Sequence, residues 1–97
     1  VNQPFQHLVT NGKGFDPAML PTMPLYRVAE IIRKDWGPKV HFSAVPYLQA
    51  MSSMKSENDD YGLDSGKSIV LYFLANATTW RGDVARIVKA ELKRRCK

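Results

Sequence analysis

Thiols are almost missing from this chain: of 97 residues only Cys96 carries one, so no internal disulfide can form. A reducing cytosol is then the simplest compartment. Long apolar runs are missing too. The most apolar stretch, Ile69–Ala75, falls far short of the ~20 residues that cross a bilayer, and no membrane role is expected. The N-terminus lacks a basic region followed by an apolar one, so no secretory leader is expected. Repeats and low-complexity tracts are absent. What remains is ordinary globular material, 44% hydrophobic and 24% charged, enough for one domain over residues 1–97.

Reactive constellations are equally scarce. His7 and His41 lie far apart, with no cysteine or carboxylate at ligand spacing, so no metal site is expected. Serine, histidine and aspartate occur in no arrangement that marks a nucleophile. Gly62–Ser68, GLDSGKS, resembles a phosphate loop, but three residues separate its glycines where four are required, and no apolar strand precedes it. Glu57, Asp59 and Asp60 lack the alternating ligands of a calcium loop and read as a solvated turn. The chain therefore reads as a non-enzyme with no catalytic residues and no cofactor.

What is present is helical periodicity. Leu25, Val28, Ala29, Ile32 and Trp36 share one face of a helix over about 24–36, which Gly37-Pro38 ends. A second helix spans about 44–54, with Ser43 as cap and Phe42 placed to pack on Tyr47. A polar, acidic loop, 52–63, follows. The run Ile69–Ala75 with Ala77 is apolar all round, which predicts an enclosed central helix over about 65–77 capped by Asp64 or Ser65. The last helix covers about 80–95, capped by Thr79, with Trp80, Val84, Ile87, Val88 and Leu92 inward. Glu91 and Arg95 interrupt that face, so the final turns are expected to project beyond the core. Asn2 caps a short helix over Pro4–Thr10, and Asp16-Pro17 opens another turn through Leu20. The fold class is all-α, a compact bundle of about four main helices with short helical pieces at the N-terminus.

Charge is unevenly placed. Residues 1–79 are neutral, and the net charge of +5 belongs to residues 80–97. Arg86, Lys89, Lys93 and Lys97 recur at helical spacing, and Arg81, Arg94 and Arg95 add to them. Such a stripe tracks phosphates in a nucleic-acid binder, or is a solvated helix face whose cations suit the C-terminal dipole. Trp80 and Arg81 are of the residue types favoured at binding hot spots, although Trp80 also reads as a core anchor. The candidate partner-binding residues are Trp80, Arg81, Arg86, Lys89, Lys93, Arg94 and Lys97. A helix-turn-helix over 25–54 is excluded because Gly37–Ser43 is longer than the usual connecting turn.

Four segments carry a resemblance: VAEIIRKDW (Val28–Trp36), HFSAVPYLQAM (His41–Met51), YGLDSGKSIVLYFLANATTWRG (Tyr61–Gly82) and ARIVKAEL (Ala85–Leu92). In these the chain resembles a family of small uncharacterised proteins of actinobacteria, bacteriophages and mobile elements. The resemblance brings no activity and no catalytic residues. It implies an accessory or inhibitor protein, cytoplasmic in a bacterial host, that binds a host or phage protein. The alternative is nucleic-acid binding by the C-terminal helix.

Overall fold

Leu25, Val28, Ala29, Ile32 and Trp36 are all buried in the computed structural model, which describes residues 15–97. They form the inner face of α1, Leu25–Trp36, one residue shorter than expected. Gly37 ends it with φ 60°, a conformation that glycine adopts without a Cβ penalty. At the other end Pro24 offers no side-chain cap. Backbone supplies it instead: the amides of Leu25 and Tyr26 donate to the carbonyls of Lys55 and Met54 at 2.7 and 2.9 Å. The loop after the second helix thus closes the start of the first.

That second helix, α2, is Val45–Met51, shorter at its C-terminal end than the sequence predicts. A 3-10 turn, Phe42–Ala44, leads into it, and the cap of this turn is His41, whose Nδ1 accepts from the Ser43 amide at 3.2 Å. The expected packing of Phe42 on Tyr47 is not made. Phe42 is 81% exposed and lies on the His41 ring, while Tyr47 meets Tyr72 with ring centroids 5.5 Å apart.

The acidic loop is tied down at several points. Asp59 accepts from the amides of Lys55 and Ser56 through its carboxylate, and its carbonyl accepts from Gly66 at 2.7 Å. Asp60–Tyr61 and Asp64–Ser65 pair antiparallel as two-residue strands, β1 and β2, around Gly62 at φ 64°. The fold is therefore mostly helical with one minimal hairpin, and all-α describes it only approximately.

Helix α3, Gly66–Ala75, is shorter than the expected 65–77; of the two caps the sequence offers, Ser65 and not Asp64 accepts from the Ser68 amide, and Asn76 closes the helix before Ala77. It buries Ile69, Val70 and Phe73 between α2 and the last helix, but it is not enclosed. Leu71 and Tyr72 are 51% and 50% exposed. Packing reaches only one side of the helix, and the apolar residues on the other side stay in water.

Helix α4, Asp83–Arg95, begins later than expected. Its cap is Gly82 at φ 114°, not Thr79, because the chain between the helices turns inward to bury Ala77 and Trp80. Trp80 lies parallel to Trp36 at 5.7 Å and edge-on to Phe73, joining α1, α3 and the junction in one aromatic cluster. The last turn of α4 does not project. Glu91 and Arg95 are buried, and Arg95 donates to the carbonyls of Leu20 and Met23 at 2.8 and 2.7 Å. Those carbonyls belong to a 3-10 helix, Pro17–Thr22, and its C-cap; Asp16 caps its start as expected, but it runs past Leu20. The helix expected over Pro4–Thr10 lies outside the described residues.

Candidate functional site

The basic face of α4 is the first candidate surface, and its cations divide into three groups. Arg94 and Arg95 are spent on Glu91. Arg94 makes a two-pronged contact through Nε and a terminal nitrogen at 2.8 and 2.7 Å, and Arg95 Nε donates at 2.7 Å. Arg95 also stands 3.8 Å from Glu57, so the acidic loop is not simply solvated. The hydrogen bond from Arg94 is the largest influence holding the Glu91 carboxyl below its ordinary value; burial opposes it, and Arg95 adds to it. Arg95, held by Glu91, clamps the end of α4 to the N-terminal turn, and Arg94 braces Glu91 from the exposed side.

Arg86 and Lys89 form the second group and are partly occupied. Arg86 pairs with Asp83 at 3.1 Å on the exposed surface. Lys89 turns back along the helix and donates to the Trp80 carbonyl at 2.6 Å, with its nitrogen 5.8 Å from the centre of the indole. Burial pulls the Lys89 ammonium below its ordinary value, and the like charges of Lys93 and Arg81 add to that. The third group, Arg81, Lys93 and Lys97, has no acidic partner among the described residues and is exposed.

Trp80 does not present a side chain to this surface. It is 2% exposed, and its Nε1 donates to the Asp35 carboxylate at 2.9 Å. It is the floor beneath the junction. The structure brings Arg81, Arg86 and Lys89 together around it, and adds Lys39 from the turn after α1, which no pattern in the sequence singles out.

A second surface is apolar and was missed. Leu71 and Tyr72 face outward on α3, Tyr47 of α2 leans on Tyr72, and Leu63 and Tyr61 of the hairpin are exposed just before the helix begins. The signal was available in the spacing. Lys67, Leu71 and Ala75 fall on one line of a helix starting at Gly66, and a lysine on that line marks it as solvent-facing.

The glycine that suggested a phosphate loop has another cause. A Cβ on Gly66 would lie 2.5 Å from the Glu57 carbonyl oxygen and 2.8 Å from that of Asp59. Gly66 lets the start of α3 press against the acidic loop. Among the described residues no group of three or more histidine, cysteine, aspartate and glutamate side chains is placed to hold a metal ion, and no helix is long and apolar enough to cross a membrane. No known family model matches the chain, and none of the curated proteins or solved structures is similar enough to match it.

Proposed function

We propose that this chain is a non-catalytic binding protein that engages another protein through the apolar strip of α3, Leu71 and Tyr72 with Tyr47 beside them. The observation that carries this is the exposure of two large adjacent apolar side chains on a helix whose other large residues are buried or half-buried. Contiguous exposed apolar side chains of this kind mark association surfaces more often than scattered single ones do. Tyr72, exposed and lying on the half-buried Tyr47, suits a hot spot, since tyrosine buries much area at low entropic cost. The resemblance to small phage and mobile-element proteins gives the context of an accessory or inhibitor protein.

The rival reading, nucleic-acid binding by α4, loses ground for a specific reason. Of the four cations at helical spacing, Arg86 is paired and Lys89 is turned inward, which leaves Lys93 and Lys97 as the continuous track. The deciding experiment is affinity capture from a bacterial lysate with three baits: the natural chain, Leu71→Asp with Tyr72→Ser, and Lys93→Glu with Lys97→Glu. The expected result is that the first double variant loses the captured protein and the second keeps it. Loss in the second variant alone, with sensitivity to salt or nuclease, overturns the reading in favour of a polyanion.

A further inference from the structure

Four cations from three stretches of chain surround the buried Trp80. An open hollow of about 420 Å³ at the start of α4 is lined by Arg81, Arg86 and Lys89, with Asp83 as its acidic side chain. A neighbouring hollow of about 400 Å³ is lined by Lys39 and Arg81, with Asp35 as its acid. Trp80 and Arg81 line both, so the two hollows adjoin as a concavity at this junction.

Both carboxylates are already engaged. Asp83 holds Arg86 at 3.1 Å, and Asp35 accepts from Trp80 Nε1 at 2.9 Å. Arg81 and Lys39 have no carboxylate partner among the described residues. Four cations facing two carboxylates leave a surplus of two positive charges in the concavity. Lys89 is fixed there by its bond to the Trp80 carbonyl, and burial with its cationic neighbours disfavours its charged form. Folding gains nothing from crowding like charges; a bound anion relieves them.

We propose that the Trp80–Arg81 junction binds a phosphate monoester, its oxygens held between Arg81 and Lys89 with Lys39 and Arg86 at the margins. The charge matches, since a phosphate monoester carries about −1.5 to −2 near neutral pH. The geometry of the donors matches too. Arg81 offers a planar fork for two oxygens, and Lys89 a point charge that needs no planar partner. The size of each hollow lies at the small end of the roughly 300–1,000 Å³ usual for ligand pockets, which suits a small ester rather than a polymer. A phosphodiester chain would instead run along α4 to Lys93 and Lys97, outside the concavity. This site is separate from the α3 strip and does not depend on the protein-binding reading.

The test is a titration of the full, isotope-labelled chain with inorganic phosphate, and separately with a nucleoside 5′-monophosphate, at ionic strength held constant with chloride. Backbone amide resonances report the position. Saturable shifts confined to Lys39 and residues 80–89 are expected. Tighter binding of the nucleotide assigns the ester as the ligand, and equal binding assigns the free anion. Arg81→Ala should weaken the affinity by about tenfold or more, the scale of one charge-assisted hydrogen bond. Lys39→Ala provides a second variant at an exposed position remote from the helix start, and Lys97→Ala should change nothing. Shifts that never saturate and are matched by chloride overturn the site. So does binding of a DNA duplex alone with shifts running to Lys93 and Lys97, or an unchanged affinity in both Arg81→Ala and Lys39→Ala.

Discussion

Arg95 shows how one side chain can reverse the meaning of a local pattern. At i,i+4 from Glu91 it looks like a surface pair, worth a few tenths of a kcal/mol. In the fold it is buried and donates to two carbonyls more than seventy residues away in the chain. Removing it leaves the Met23 carbonyl without that donor, leaves the Leu20 carbonyl with only the Met23 amide, and strips Glu91 of one of its two cations. Arg95→Ala should therefore destabilise the chain by about 3–5 kcal/mol, the cost of breaking a buried pair. Urea unfolding measures this; a loss near zero would return the pair to the surface class. The pH dependence follows from Glu91. Its carboxyl is held below the ordinary value of 4.5 by Arg94 first, against the cost of burial. A depressed carboxyl contributes stability that is complete above the unfolded value and is lost as pH falls through the folded one. Stability should thus decline on the acid side below about pH 4.5, and Glu91→Gln should flatten that decline while lowering stability at neutral pH.

Gly66 sets two effects against each other. Helix propensity alone favours alanine over glycine by about 1 kcal/mol. Here the added Cβ would meet two backbone carbonyl oxygens at 2.5 and 2.8 Å, and backbone does not step aside as a flexible side chain does. Gly66→Ala is expected to destabilise by about 1–3 kcal/mol, the range of overpacking, and a melting temperature at or above that of the natural chain would reject the close approach.

Among the elements, legibility followed the source of the signal. The spacing of Leu25, Val28, Ala29, Ile32 and Trp36 marks α1 to within a residue because burial on one face leaves a period in the sequence. The caps at Asp16 and Ser65 were readable because a capping oxygen acts within three residues. The start of α4 was not, because its limit is set by Trp80 seeking the α1 ring and by Gly82 at positive φ, which are tertiary demands. Backbone capping of α1 by Met54 and Lys55 left no mark on the side chains at all. The candidate site divides the same way. The cations of α4 were legible from their spacing, whereas Lys39 joins them only through the fold. Trp80 is the hinge of that arrangement and can be probed by itself. Trp80→Phe keeps an aromatic plug but loses the donor to Asp35. It should cost about 1–3 kcal/mol, less than the about 3–5 kcal/mol expected for Trp80→Ala; a Trp80→Phe loss near zero would mean the indole nitrogen contributes nothing, and equal losses for the two would mean the aromatic plug does not.

At the scale of the molecule, the excess charge of residues 80–97 has two destinations, and salt separates them. Arg95 clamps the end of α4 to the N-terminal turn and is buried, and Arg94, though exposed, is engaged by Glu91. Arg81, Arg86 and Lys89 line the concavity over Trp80, which leaves Lys93 and Lys97 as a short exposed track. A duplex laid along four cations would lose affinity with a log–log salt slope of about −3.6, whereas two contacts give about −1.8. Any duplex binding by this chain should show the shallower slope and need low salt to be seen. The α3 strip should respond the other way, since apolar burial is not screened and strengthens with salts excluded from protein surfaces. Leu71→Asp with Tyr72→Ser should lower the unfolding free energy by only about 1–2 kcal/mol, through the lost Tyr47 contact and two weaker helix formers, and leave the chain folded. Retained binding of a partner protein by the natural chain at high salt, lost in that double variant, is the expected pattern. A duplex slope near the four-contact value would mean that Arg86 and Lys89 leave their internal partners on binding. The basic face would then replace the apolar strip as the principal functional surface.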